Sequence, residues 1–200
     1  MTEKFQNSAL VLVDVQNDFC PGGALAVPEG DKIIPVINQL MPLFPLVFAT
    51  EDWHPSNHIS FKERGGPWPP HCVQGTTGAQ LHPGIDQTKI DLLFRKATTP
   101  DRDAYSGFEA SDEKGRSLDE ALKQNGVKTI YVAGLATDYC VRATVLDGLK
   151  NGYEVVVVTD AMRAVEVNPG DGQRAIEEMR SRGARLVASR DIIQQAAGRA

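Results

Sequence analysis

The residue best placed for covalent chemistry is Cys140, because it follows a short apolar run and opens an amphipathic segment. The run 129–133, TIYVA, is rich in β-branched residues and predicts a buried strand. The N-cap candidates Thr137 and Asp138 then precede apolar residues with helical spacing, up to a stop signal at Gly152. A first helical turn has unpaired N–H groups and a positive dipole end, which lower the pKa of a thiol and can bind an oxyanion. This placement indicates a cysteine nucleophile, and a small buried hydrophobic residue is the alternative.

Two charged residues fall at the ends of other predicted strands. Asp14 closes the apolar run 9–15, and Lys96 follows the run 90–94. The carboxyl ends of parallel strands meet along one edge of a sheet, so we expect both side chains beside Cys140. A partly desolvated Asp14 can serve as the base for the thiol, and Lys96 would stabilise the carboxylate and the thiolate. The alternative is a structural ion pair beside an inert cysteine.

A second set of residues has the chemistry of a metal site. Asp52 and His54 are spaced so that an extended chain places both side chains on one side. His71 arrives from a loop that prolines stiffen. Two imidazoles and a carboxylate suit Zn²⁺, Fe²⁺ or Mn²⁺ with open coordination positions. His58 is a further candidate, although a loop contact is the safer interpretation.

Three aromatic residues lie in loops near the same predicted edge, namely Phe19, Trp68 and Tyr105. Aromatic rings in such positions can hold a flat ring between them. The alternative is that they only anchor the loops.

The elements that must position these groups alternate between strands and helices. We predict strands over 9–15, 45–50, 90–94, 129–133, 154–158 and 184–188, and helices over 31–41, 117–125, 140–151 and 171–182. This alternation predicts an α/β fold: a single-domain three-layer α/β/α sandwich whose mainly parallel, doubly wound, Rossmann-like sheet has about six strands. The long irregular segment 53–86 contains all four histidines, and loops of that length are usually functional.

Composition excludes several classes of protein. The net charge of −5 gives no support for nucleic-acid binding. The three cysteines have no framework spacing, and no apolar run approaches the roughly 18 residues of a membrane span. The first residues lack the pattern of a signal peptide, so we expect a cytoplasmic protein without a membrane partner.

The sequence resembles the nicotinamidases, also called pyrazinamidases, of the isochorismatase-like cysteine hydrolase superfamily. The resemblance extends over most of the chain, from 1–200 as a single domain with a metal-binding loop insertion at about 52–86. Isochorismatases share the framework but have Gly where Cys140 stands. The matching stretches are LVLVDVQNDFCPGGAL at 10–25, DWHPSNHISF at 52–61, WPPHCVQGT at 68–76, FRKATTPDRDAYSGF at 94–108 and GLATDYCVRATVLDG at 134–148.

The resemblance implies hydrolysis of the carboxamide of nicotinamide, giving nicotinate and ammonia in NAD salvage, with pyrazinamide as a second substrate. Asp14, Lys96 and Cys140 correspond to the family's catalytic triad. A cis peptide before Ala136 is implied, so that the backbone N–H groups of Ala136 and Cys140 form the oxyanion hole. The implied substrate contacts are Phe19, Trp68, Tyr105, Leu135 and Ala136.

The resemblance also implies one divalent metal ion held by Asp52, His54 and His71. The family's fourth protein ligand varies, and Ser60 and His58 both remain candidates. It implies a small-molecule partner, nicotinamide, and leaves a homo-oligomer open.

Three other functions are compatible with parts of this pattern. A related amidohydrolase acting on N-carbamoyl or ureido compounds would need the triad without the metal motif. A non-haem iron oxygenase would use the two histidines and the carboxylate without needing Cys140. A metal-binding module without catalysis would leave Cys140 no more reactive than a free thiol.

Overall fold

A computed structural model of the chain describes residues 5–198. Its centre is one sheet of six parallel strands in the order β3-β2-β1-β4-β5-β6. The strands are β1 Ser8–Val13, β2 Val47–Asp52, β3 Leu92–Lys96, β4 Thr129–Leu135, β5 Glu154–Arg163 and β6 Arg185–Val187. The helices are α1 Ile34–Leu40, α2 Leu118–Gln124, α3 Arg142–Lys150, α4 Asp171–Ser181 and α5 Ser189–Ala196. The predicted fold class is confirmed.

The core lies on both faces of the sheet because successive side chains of a buried strand point in opposite directions. In β1, Leu10 and Leu12 pack with α1 and α5, whereas Val11 and Val13 pack with α2, α3 and α4. Helices on both faces make the three layers. No helix among residues 5–198 has the length and apolar character to cross a membrane.

Several strand boundaries differ from the predicted ones, because pairing with a neighbouring strand extends the strand beyond its apolar run. Strands β2 and β3 reach Asp52 and Lys96, which pair in register across the two strands. The chain-terminal helix α5 was not predicted, because its short amphipathic pattern is weak without the sheet face that it covers.

The predicted capping of the Cys140 helix is wrong. Thr137–Val141 form one turn of π-helix before α3, and Ala136 occupies the N-cap position. The Asp138 carboxylate instead accepts hydrogen bonds from the N–H groups of Val165 and Glu166 at 2.9 Å each.

Candidate active site

Strand order brings the predicted catalytic groups together at the carboxyl edge of the sheet. Strand β1 lies between β2 and β4, so the residue after β1 and the turn after β4 face one crevice. The Lys96 ammonium lies 2.9 Å from Oδ2 of Asp14 and 3.5 Å from Sγ of Cys140. All three residues are buried. The geometry therefore suits proton transfer from a thiol to a carboxylate beside a fixed ammonium.

Lys96 also contacts Asp52, the carboxylate predicted to bind metal. Burial alone disfavours the charged amine, but Asp14 and Asp52 outweigh that effect and raise the pKa of Lys96 well above its usual value. The Lys96 ammonium therefore joins the predicted metal residues to the nucleophile.

The two carboxylates that share Lys96 differ in their affinity for protons. Burial raises the pKa of Asp14, although Lys96 and a hydrogen bond from Thr50 oppose the shift. Burial acts the same way on Asp52, but Lys96 and His54 outweigh it and lower the pKa of Asp52. Environments that differ in this way move the pKa values of two carboxyl groups apart, so that one can accept a proton while the other stays ionised. Asp14 is thus the group suited to take a proton, and Asp52 is suited to stay charged.

The surroundings of Cys140 act against the lowered thiol pKa that a helix start predicts. Burial raises the pKa of the Cys140 thiol well above its usual value, and the nearby Asp14 raises it further, while Lys96 opposes both. Desolvation therefore raises the pKa of Cys140 by more than the nearby helix start lowers it. The raised pKa favours the neutral thiol of Cys140, which lies beside a carboxylate whose own raised pKa suits it to accept the proton.

The backbone around the nucleophile adopts the predicted cis peptide between Leu135 and Ala136. The N–H groups of Tyr139 and Val141 both donate to the carbonyl of Ala136 at 3.1 Å, which fixes the turn on either side of Cys140. The roles of the Ala136 and Cys140 N–H groups in binding an oxyanion stay a prediction.

A buried cluster beside this group brings the predicted metal ligands together. One ligand atom each from Asp52, His54 and His71 lies within 4.8 Å of the others. Nδ1 of His71 lies 2.8 Å from the carbonyl of Pro69, and Nδ1 of His54 lies 3.3 Å from that of Ala97. A carbonyl only accepts, so each Nδ1 carries the hydrogen and each Nε2 presents its lone pair.

This arrangement fits a divalent cation. Metal-bound histidines usually donate their second ring N–H to a carbonyl or a carboxylate, as both rings do in this cluster. Burial lowers the pKa of His71, which favours the neutral imidazole that a metal requires. The donor set of two imidazoles and one carboxylate suits zinc, iron(II) or manganese.

The candidates for a fourth ligand have different surroundings. His58 has its Nε2 3.0 Å from the carbonyl of Arg102 and its Nδ1 2.7 Å from Oγ of Ser60. Its ring stacks on His54 with centroids 4.2 Å apart. Both nitrogens of His58 are engaged, so its role as a ligand is not supported in this arrangement. Ser60 as the fourth ligand stays a prediction.

A small cavity opens above the nucleophile and the metal cluster. Phe19, Trp68, Tyr105 and Ala136 line it as predicted, together with Cys140, His71 and Asp52. Nε1 of Trp68 donates to the Tyr105 hydroxyl at 3.0 Å, which joins two of its walls. Aromatic rings, the nucleophile and two candidate metal ligands therefore share one cavity.

The cavity walls differ from the prediction at several positions. Leu135 is not among the residues that line the cavity, because its side chain packs into the core near Gly30. Sequence reasoning missed Tyr139, Leu25 and Val165. The adjacency of Tyr139 to the nucleophile was a usable signal, whereas Leu25 and Val165 reach the cavity only through the tertiary fold.

Comparison with known proteins defines the class. The family model of the isochorismatase domain matches residues 8–191, and the chain belongs to this family. The nicotinamidase of Escherichia coli is 44% identical over 92% of this chain and 95% of its own length.

Two solved structures share the fold and most of its length. The pyrazinamidase of Pyrococcus horikoshii, in complex with zinc, superposes with a TM-score of 0.82 at 52% identity, covering 91% of this chain and 99% of that one. The PnC1 protein of L. infantum, in complex with nicotinate, gives a TM-score of 0.86 at 39% identity, covering 94% and 96%.

Proposed function

We propose that this protein is a nicotinamidase, an amide hydrolase that converts nicotinamide to nicotinate and ammonia. The observation that carries the proposal is the set of contacts made by Lys96. Its ammonium contacts Asp14, Asp52 and Cys140, and so links a proton acceptor, the metal-type cluster and a buried thiol beside one cavity. A flat ring can lie among the aromatic walls with its amide towards Cys140. Relatives named nicotinamidase match nearly the full chain.

The first half-reaction forms a thioester. Asp14 takes the proton from the Cys140 thiol, and the sulfur attacks the carbonyl carbon of the amide. The backbone N–H groups of Ala136 and Cys140 stabilise the resulting oxyanion. Asp14 then gives its proton to the amide nitrogen as the C–N bond breaks, and ammonia leaves.

The second half-reaction restores the enzyme. Asp14 accepts a proton from a water molecule as the water oxygen attacks the thioester carbon. The C–S bond then breaks, and the proton returns to Cys140 while nicotinate departs. Lys96 keeps its proton throughout, so that each negative charge that forms on Asp14 or Cys140 has a cation beside it.

Asp52, His54 and His71 would hold the metal ion. With a divalent cation held there, these three residues would leave coordination positions open, and the cation would supply Lewis acidity for binding the pyridine nitrogen of the substrate. The side chains of Phe19 and Trp68 would hold the ring on the same side of the cavity. Zinc, iron(II) and manganese all suit this donor set. Pyrazinamide carries a ring nitrogen and a carboxamide in the same relation, so we include it as a substrate.

The decisive experiment compares substrates and variants in one assay. We expect the purified protein to release ammonia from nicotinamide, and Cys140→Ala to release none. An N-carbamoyl amino acid should be a poor substrate, because it lacks a ring nitrogen for the metal cluster. Faster hydrolysis of the N-carbamoyl compound, with activity indifferent to a chelator, would favour the related amidohydrolase and contradict the proposal.

A further inference from the structure

The Asp18 residue connects two loops that border the cavity. Its Oδ2 accepts a hydrogen bond from the N–H of Cys72 at 2.7 Å, and its Oδ1 accepts one from the N–H of Ala24 at 3.1 Å. Its carbonyl accepts the N–H of Leu25 at 3.0 Å. One residue therefore ties the loop after β1 to the loop that carries His71.

The bond to Cys72 supports a strained part of the backbone. Cys72 has a φ of 46°, in the left-handed region that a residue with a side chain rarely occupies. Such a conformation persists only where surrounding contacts hold it. The hydrogen bond from Cys72 to Asp18 is one such contact, and it lies one residue after His71.

Packing leaves the Asp18 carboxylate little room to move. A Cβ atom added at Gly78 would clash with this carboxylate, and one added at Gly23 would clash with the Asp18 backbone. Both glycines admit close approach of the neighbouring loop. The position of Asp18 is thus fixed by close packing against two glycines that do not themselves line the cavity.

Three residues that line the cavity lie next to the hydrogen bonds made by Asp18. Phe19 follows Asp18 directly, Leu25 is bound to its carbonyl, and His71 precedes Cys72. The rings of Phe19 and His71 have centroids 5.6 Å apart. Nδ1 of His71 is already held by the carbonyl of Pro69, so the backbone on either side of the ring is constrained.

We propose that Asp18 is a positioning residue that holds His71 and Phe19 at the separation needed to bind metal and substrate together. This inference rests on the proposed function. Asp18 belongs to neither group of clustered potential metal-binding atoms found among residues 5–198, so it acts through the Cys72 backbone and not as a ligand. Groups that orient metal ligands typically change affinity by about 10- to 100-fold when they are removed.

The test uses Asp18→Asn, which keeps the shape but turns one acceptor into a donor that faces an N–H group. Metal-free protein is titrated with Zn²⁺ in a calorimeter, and kcat and KM are measured for nicotinamide with saturating Zn²⁺. We expect zinc affinity to fall by about 10- to 100-fold and KM to rise. The alkylation rate of Cys140 by iodoacetamide should not change, because the triad does not contact Asp18.

The matched control is Asp86→Asn, since Asp86 also accepts a backbone N–H, from Thr88, in an exposed turn. It should leave zinc affinity and KM unchanged. A second variant, Gly78→Ala, pushes a methyl group against the Asp18 carboxylate without removing it, and should reproduce the loss of zinc affinity.

Parent-like zinc affinity in soluble, folded Asp18→Asn and Gly78→Ala would overturn the positioning role. The same result with a lower melting temperature would assign Asp18 to stability alone. Weaker zinc binding in the variants, when the parent releases no ammonia from nicotinamide, would reject the proposed function but keep the positioning role.

Discussion

The Lys96 ammonium lies 3.5 Å from the Cys140 sulfur and is the cation that opposes the effect of burial on this thiol. Lys96→Ala removes this opposing charge, so the pKa of Cys140 should rise further and alkylation by iodoacetamide should require a higher pH than in the parent. The measurement is the alkylation rate against pH, with Cys20 and Cys72 replaced by Ala. Circular dichroism identifies any variant that has lost its fold.

Lys96→Arg serves as the conservative comparison for this prediction. The guanidinium is planar and larger than an ammonium, and the buried position beside Asp14 and Asp52 is tight. We expect little rescue of activity. A folded Lys96→Ala protein with a parent-like alkylation profile would show that Lys96 does not tune the thiol.

Thr50 should set the acid limb of the pH–rate profile. Its Oγ1 donates to Oδ1 of Asp14 at 2.7 Å, and this bond lowers the pKa of a carboxyl group that burial raises. Thr50→Val removes the donor, so the pKa of Asp14 should rise and a larger fraction of Asp14 should be protonated at any given acidic pH. Because Asp14 must be ionised to act as base, kcat/KM should begin to fall at a higher pH than in the parent.

The control for Thr50→Val is Thr159→Val, which removes a hydroxyl that donates to the carbonyl of Val187 away from the site. Its pH–rate profile should match that of the parent. An unshifted acid limb in Thr50→Val would mean that another group titrates in the profile.

Cys140→Ala should abolish turnover while leaving nicotinamide binding largely intact. The sulfur forms the covalent bond, whereas the cavity walls that contact the ring are separate residues. Calorimetry measures binding and ammonia release measures turnover. Cys20→Ala is the matched control, because that thiol is also buried but is not among the residues lining the cavity. Appreciable turnover by Cys140→Ala would rule out the thioester.

Metal removal should act mainly on substrate binding. Asp52 and His71 line the cavity and His54 clusters with them, whereas Asp14 is the group proposed to take the thiol proton. Dialysis against a chelator should stop ammonia release, and Zn²⁺, Fe²⁺ or Mn²⁺ should restore it. Full activity in protein shown by elemental analysis to contain no metal would contradict the assignment of these three residues.

Tyr105 should contribute to substrate binding through Trp68. In Tyr105→Phe, the Nε1–H of Trp68 loses its acceptor, and a typical hydrogen bond of this kind contributes about 0.5–1.5 kcal/mol. We expect KM for nicotinamide to rise and kcat to change little. A fall in kcat with unchanged KM would instead place Tyr105 in the chemical step.

Local sequence signals were sufficient to predict the α/β architecture and the residues at its reactive edge. Apolar runs predict buried strands, and capping residues and glycines predict helix ends. Polar residues that directly follow strands predict the reactive carboxyl edge of the sheet. Helix α2 begins after the Ser117 capping box and ends before Gly126, within a residue of its predicted bounds, because both signals depend only on neighbours in the chain. Asp14 and Lys96 could be singled out for the same reason.

The tertiary structure alone decided how the reactive groups affect one another. Lys96 is shared by Asp14 and Asp52 because β3 pairs with β2, and that contact joins residues 44 positions apart in the chain. The raised pKa of Cys140 has the same origin: desolvation depends on every element packed around a thiol, whereas a helix start is a local feature. Sequence patterns report local geometry, but burial and charge separation are properties of the assembled fold.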